Sequence, residues 1–268
     1  MPRRYRRFPR LVAILFLLLD SPAAHSSEVS LQDQIAELFR AQDVVGTLVV
    51  ADAEGEPIFV HNQERAEKRF SPASTFKVLN TLIALDQGVV TSAESTFEWD
   101  GKVRGIGSWN QDQSLTTAFQ RSCVWCYQEI ARQVGIEHYQ DQLAKLSFGN
   151  QQTGEVVDEF WLNSSLTISA LEQIEFLRAL AAQTLPFEPT YQHTLKSIML
   201  NDEKGDIRVY AKTGWAIRVD KVGWFVGYLE RDREHILFAM NMEMVSGEQA
   251  SLRKSITLDA LQILGLLD

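Results

Sequence analysis

Polar and apolar positions change period several times along this chain, and each change marks an element. Leu31, Ile35, Leu38 and Phe39 recur at helical spacing, and Ser30 ahead of them suits a cap. Two short strand-like runs follow, GTLVVAD and PIFVHN, joined by AEGE, which reads as a hairpin. Toward the other end, RVYAKTGW, KVGWFVGYLE and HILFAMNMEM are three β-rich runs separated by short polar turns, and SLRKSITLDALQILGLL is a closing helix. Between them helical patterns dominate. SALEQIEFLRALAAQ, for example, sets Leu171, Ile174, Leu177 and Leu180 on one stripe that Ile168 extends.

Strands at both ends and helices in the middle predict an α/β (α+β) fold. One antiparallel sheet would form from both chain ends, flanked by the terminal helices, with a mainly helical lobe inserted. The expected limits are a sheet lobe over about 27–68 and 197–268 and a helical lobe over about 69–196. Ligand sites favour such junctions.

Residues 1–26 do not fit that catalytic-size domain of 27–268. MPRRYRRFPR is a basic stretch, LVAILFLLL (Leu11 to Leu19) is too short for the roughly 20 apolar residues of a membrane span, and DSPAAHS supplies small residues for cleavage. The pattern predicts a secretory signal removed after Ala24 or Ser26, with an uncleaved anchor as the alternative. No second hydrophobic span follows, so no membrane attachment is expected after cleavage. The full chain of 268 residues is 45% hydrophobic and 23% charged, an ordinary globular composition. Its formal charge is −9 although the leader holds five of the arginines, so the remainder is more acidic still and a poor nucleic-acid binder.

The only two cysteines, Cys123 and Cys126, stand as CxxC in SCVWCYQE. In an exported protein they read as structural thiols or a local disulfide. A redox role is the alternative, but LTTAFQR ahead of them does not resemble the strand that precedes thioredoxin-type motifs. The histidines are scattered without HExxH or HxH spacing, so no metal site is expected.

The stretch SPASTFKVLN places Ser74 three residues before Lys77, in a run where Phe76, Val78 and Leu79 look like core. Ser-x-x-Lys on a helix brings hydroxyl and amine to one face, and a serine hydroxyl needs a base beside it to act as a nucleophile. Alone the motif is weak, and a second copy occurs at Ser251 and Lys254. The first copy differs because Ser71-Pro72 reads as a cap followed by a first-turn proline, which would put Ser74 where backbone N–H groups face a developing oxyanion. Two further signals join it. AKTGW ends a predicted strand with Lys212, Thr213 and Gly214, where the glycine would let a substrate lie along the edge. RSCVW places Ser122 at a predicted helix start. Serine penicillin-recognising proteins carry SxxK, SDN and KTG in that chain order; here the middle member reads Ser122-Cys123-Val124.

With these motifs in register the sequence resembles the class D (oxacillinase-type) serine β-lactamases. The resemblance runs from about Val45 to Ile256 through PASTFK, SCV, VWCYQEIAR, FGN, DEFWLNSSLTIS, AKTGW and SLRKS. It implies hydrolysis of the β-lactam amide of penicillin-type antibiotics through a serine acyl-enzyme, and antibiotic resistance. It also implies that Lys77 is carboxylated by CO2 (an N6-carboxylysine), with Trp161 hydrogen-bonded to the carbamate. No other cofactor is implied beyond CO2 or bicarbonate. Burial would explain the lysine's neutrality, since an apolar pocket lowers an amine's pKa by up to several units.

The resemblance assigns the remaining roles. Ser74 is the acylated nucleophile, and carboxylated Lys77 is the base for acylation and deacylation. Ser122 relays a proton to the β-lactam nitrogen. Lys212, Thr213 and Arg253 meet the substrate carboxylate, and the backbone N–H groups of Ser74 and Trp215 form the oxyanion hole. Val124 and Leu162 make an apolar lid over Lys77, and Trp109 either lines the cleft or is a half-buried structural residue. One feature competes. EFWLN also spells Glu159-x-x-Leu-Asn163, the pattern by which class A enzymes hold a deacylating water with a glutamate. A β-lactam sensor or a penicillin-binding transpeptidase, acylated but slow to turn over, is the alternative function. The implied location is the periplasm, and the protein is expected as a monomer or homodimer. Arg218 in WAIRVDK resembles the corresponding loop of some carbapenem-hydrolysing members.

Overall fold

The computed structural model describes residues 29–232 and 234–267; the leader expected over residues 1–26 lies outside them. The chain begins with α1 (Leu31–Arg40), β1 (Gly46–Ala51), β2 (Pro57–His61) and α2 (Gln63–Glu67). A 3-10 turn (Ala73–Phe76) leads into α3 (Lys77–Asp86). Then come β3 (Thr96–Phe97), a 3-10 turn (Gly107–Trp109), β4 (Gln113–Ser114), α4 (Leu115–Gln120), α5 (Val124–Val134) and α6 (Ile136–Lys145). After α7 (Ala170–Ala181) and α8 (Pro189–Met199), four strands follow: β5 (Leu200–Lys204), β6 (Ile207–Ala216), β7 (Val222–Arg231) and β8 (Glu234–Glu243). A last 3-10 turn (Gly247–Ser251) precedes α9 (Leu252–Ile263).

Local chemistry explains the predicted ends. Ser30 Oγ accepts the Asp33 N–H at 3.1 Å and so satisfies a free donor of the first turn of α1. In the AEGE hairpin the Asp52 carboxylate accepts the N–H groups of Glu54 and Glu56 at 3.1 and 2.8 Å. Ser169 and Glu172 form a reciprocal capping box at the start of α7.

The six-stranded antiparallel sheet has the order β2-β1-β8-β7-β6-β5, so the two chain ends meet where β1 pairs β8, as predicted. Side chains alternate between its faces. Leu48, Val50, Phe225, Phe238 and Met240 pack with Ile35 and Phe39 of α1 and Ala260 and Leu261 of α9. Val49, Ala51, Trp224, Val226, Leu237 and Ala239 belong instead to the core shared with the helices between β2 and β5. Because both faces are covered, the inner strands read as continuous apolar runs. Helix α7 lies directly against β8 and β1, so the middle of the chain closes the second face of the sheet.

Strand β5 escaped the sequence reading. LNDEK is polar and exposed throughout, and it pairs only with the Ile207–Tyr210 part of β6. From Ala211 to Ala216, β6 is bonded on its β7 side alone in the ladder, and this open edge faces the site described next.

Candidate active site

The segment before α3 departs from the expected cap. Ser71 does not cap a helix: its hydroxyl donates to the Trp161 carbonyl at 2.8 Å, its N–H goes to Asp220 at 2.6 Å, and its own carbonyl accepts the Trp224 indole N–H at 2.9 Å. Its polar groups are thus committed to the walls of the site. Ala73 then takes φ +47°, a left-handed conformation uncommon outside glycine, and its N–H also reaches the Trp161 carbonyl, at 3.0 Å. Ser74 follows in a 3-10 turn, and the α-helix proper starts only at Lys77. The serine is 9% exposed, buried but still reached by solvent.

Lys77 is fully enclosed. Its Nζ finds no hydrogen-bond partner among the described residues and lies 4.5 Å from the centre of the Tyr127 ring. Burial, and secondarily the charge of Lys212, push the amine well below the usual lysine range. The Trp161 indole N–H is the companion: it too is completely buried and without a partner among the described residues. Trp161 is held on its other side by stacking against Phe76 (5.7 Å between ring centres) and by edge contact with Phe160 (4.9 Å). Buried polar groups are normally paired, so Lys77 Nζ and Trp161 Nε1 are exceptions, each within the buried interior and each without a partner among the described residues.

Opposite them, Lys212 Nζ donates to Ser122 Oγ at 2.6 Å and to the Thr213 carbonyl at 3.1 Å. Burial, with Arg253 adding repulsion, brings this lysine down to about 7. Ser122, like Ala73, sits in the left-handed region, with φ +54°. The next residue, Cys123, is bonded to Cys126 as a disulfide across the first turn of α5, and its sulfur accepts the Cys126 N–H at 3.3 Å. The local disulfide is therefore present, and it fixes the chain immediately after Ser122.

Gly214 also has a packing reason. A Cβ there would lie 2.8 Å from the Pro72 carbonyl oxygen and 3.1 Å from the Thr75 side chain. The glycine lets the nucleophile turn pack on β6. Thr213 and Trp215, either side of it, are half-buried. Arg253 is 9% exposed and lays its stem over Gly223. Its Nη1 donates to the Gly214 carbonyl at 2.6 Å and its Nε to Ala250 at 2.9 Å, which ties α9 to the strand carrying Lys212.

The remaining candidates fall into place around this centre. Val124 and Leu162 are half-buried, Leu162 against the core that includes Trp161. Trp109 is half-buried, donating from its indole to the Arg121 carbonyl at 2.9 Å and accepting the Trp125 indole at 3.0 Å, so it buttresses the turn ahead of Ser122. Glu159 is exposed, outside the apolar shell that encloses Lys77. Sequence reasoning missed Tyr127 and Asp220. The first was visible inside VWCYQE, but its orientation toward Lys77 depends on α5 crossing α3; the second carried no motif.

A nearly buried serine, two buried amines of weakened basicity and a second serine bonded to one of them form a constellation suited to acyl transfer. A family model for the penicillin binding protein transpeptidase domain matches residues 46–262. β-Lactamase OXA-48 of Klebsiella pneumoniae is 42% identical over 218 residues, covering 81% of this chain and 82% of that protein. The solved structure of a class D β-lactamase, YbXI from Nostoc, matches with a TM-score of 0.84 at 36% identity, covering 87% of this chain and 99% of that one. The chain belongs to the class D serine β-lactamases. FUS-1 (OXA-85) from Fusobacterium nucleatum, also class D, agrees at a TM-score of 0.84 and 34% identity over 88% of this chain and 98% of that one. β-Lactamase OXA-2 of Salmonella typhimurium is 37% identical across 87% of this chain and 86% of that protein. As a class D β-lactamase the protein is a hydrolase of β-lactams, the chemistry that confers resistance to them.

Proposed function

We propose that this class D enzyme opens penicillin-type β-lactams through an acyl-enzyme on Ser74, with carboxylated Lys77 as its general base. The observation that carries the reading is that Lys77 Nζ and Trp161 Nε1 are both fully buried and without a partner among the described residues. A neutral amine combines with CO2 to give an N-carboxylate and a proton. The lowered basicity of Lys77 keeps it free to do so. The carbamate restores an anionic base at a position where a bare amine would be a poor one, and the Trp161 indole N–H is the donor that would hold it. No metal is invoked.

The chain's own residues supply the rest. Lys77, once carboxylated, takes the Ser74 proton as the hydroxyl attacks the lactam carbonyl, while the N–H groups of Ser74 and Trp215 receive the oxyanion. Ser122, bonded to Lys212, passes a proton to the departing lactam nitrogen. Lys212, Thr213 and Arg253 present positive charge and donors to the substrate carboxylate, and Lys77 then activates the water that frees Ser74. Val124 and Leu162 keep bulk water from the base. The signal-like leader supports export to the periplasm, where such substrates would be met by a monomer or homodimer free of the membrane. Mixing purified protein with a chromogenic cephalosporin, with and without bicarbonate, tests the reading. Sustained turnover raised by bicarbonate is expected; a single stoichiometric burst would make the protein a sensor or transpeptidase instead.

A further inference from the structure

The β6–β7 connection is five residues long, Ile217 to Lys221, and is closed by the Lys221 N–H on the Ala216 carbonyl at 2.8 Å. Ile217, Arg218 and Val219 are exposed, whereas Asp220 is half-buried and turns back into the molecule. One of its oxygens, Oδ2, accepts the Ser71 N–H at 2.6 Å and the Ser164 hydroxyl at 3.0 Å. Those two partners lie on different walls. Ser71 leads into the nucleophile turn, and Ser164 stands three residues after Trp161, at φ +65°. A single carboxylate oxygen therefore joins the β6–β7 connection, the approach to Ser74 and the loop that carries Trp161 and Leu162.

The contacts of Ser71 transmit this. Its hydroxyl and the Ala73 N–H grip the same Trp161 carbonyl, at 2.8 and 3.0 Å. Ser71 is wholly buried, so without Asp220 its N–H would be left unpaired, a strong incentive for the segment to shift. One acceptor oxygen satisfies both donors, so the latch needs an oxygen at this place more than it needs a charge. The Trp161 indole is then aimed by an interaction that touches neither substrate nor Lys77.

We propose that Asp220 is a positioning residue that clamps the Trp161 loop to the nucleophile segment and thereby sets how tightly Lys77 holds CO2. This rests on the carbamate reading above. Loosening the clamp tilts the indole away and lets water past Leu162, and a better-solvated amine is more often protonated and unable to bind CO2.

The test compares wild type, Asp220→Ala, Asp220→Asn and Ser164→Ala. The readouts are the bicarbonate concentration giving half-maximal turnover, the carbamate carbon signal of protein equilibrated with 13C-bicarbonate, and Tm. Asp220→Ala should need on the order of 10-fold more bicarbonate, with kcat restored at saturation and KM little changed. Asp220→Asn keeps an oxygen for both donors and should stay near wild type, and Ser164→Ala should fall between. If Asp220→Ala does not fold, Ser164→Ala carries the comparison. A lowered Tm with an unchanged bicarbonate requirement would reduce Asp220 to a structural residue and overturn the clamp. Absence of a carbamate signal in wild type would instead remove the reading beneath it, and the clamp with it.

Discussion

Lys77 Nζ and Trp161 Nε1 are both sealed from solvent, and neither has a hydrogen-bond partner among the described residues. A neutral amine could accept the indole N–H, yet no such bond forms, so both groups are left with unused hydrogen-bonding capacity. If a carbamate on Lys77 takes up that capacity, activity must follow the supply of CO2 and the protonation of the amine. Degassed enzyme should lose activity across about pH 5.5 to 8, most at the acid end, where a proton on the carbamate nitrogen expels CO2 and the resulting ammonium cannot recapture it. Added bicarbonate should restore it. Stopped-flow or steady-state assays across that range check this, and indifference to bicarbonate throughout would refute it.

The same burial makes Lys77 a stability liability. In the unfolded chain its amine holds a proton up to about pH 10.4, whereas in the folded state it gives the proton up well below that. Between the lowered folded value and the unfolded one, the unfolded state binds more protons, and this contribution opposes folding until the pH rises toward the unfolded value. Lys77→Met in CO2-depleted buffer should therefore abolish turnover and raise Tm at pH 7. The gain should shrink as the pH approaches about 10. A Tm below wild type at neutral pH would mean that the lysine is stabilised by something other than its apolar shell.

Lys212 gives a second pH signature. Brought down to about 7 by burial and Arg253, it is cationic below that value and neutral above it, so its pull on a substrate carboxylate weakens as the pH rises. Carboxylation would turn the neutral Lys77 amine into an anion, and an added anion that interacts with Lys212 raises the Lys212 value. KM for benzylpenicillin should rise on the alkaline side, with a midpoint that moves upward when bicarbonate saturates. In Lys212→Arg the guanidinium stays charged throughout, so the alkaline rise should flatten. A midpoint indifferent to bicarbonate would separate the two lysines electrostatically.

The parts of this site that are local in sequence were legible in it. Ser74 and Lys77 share a turn, Lys212 and Ser122 sit in recognisable motifs, and the β-rich runs near both chain ends and the terminal helices show in the sequence pattern. What failed was information held between segments. The packing of Pro72 and Thr75 against Gly214 carried no local signal, and Ser71 looked like a cap until the Trp161 carbonyl claimed its hydroxyl. Strand β5 was invisible because an exposed polar edge strand has no apolar alternation to read. Asp220 had no motif, since its partners lie 149 and 56 residues away.

The Cys123–Cys126 disulfide should act as a brace and not as a redox centre. It closes a loop of only four residues, for which chain entropy predicts a contribution of about 2 kcal/mol. Cys123→Ser together with Cys126→Ser should lower Tm by several degrees, partly offset because serine is itself a good cap at position 123. Turnover at 25 °C should persist, as it should after a mild thiol. Loss of turnover with an unchanged melting curve would favour the redox alternative.

EFWLN carries two candidate bases, and their environments separate them. Glu159 is exposed, and its backbone carbonyl accepts the N–H groups of Leu162 and Asn163, so the residue shapes the turn that delivers Trp161. Lys77 is sealed beneath that turn. Glu159→Gln preserves the backbone contacts and should change turnover little. Lys77→Ala should lose acylation and deacylation together, a fall of order 10²–10⁴ or more for a lost general base. Trp161→Phe removes the indole donor while keeping an aromatic ring against Phe76, so deacylation should slow and bicarbonate should recover part of it. Mass spectrometry after brief exposure to a penicillin reads each case directly. A lasting adduct in Glu159→Gln, beside rapid clearance in Trp161→Phe without bicarbonate, would transfer the base from Lys77 to Glu159.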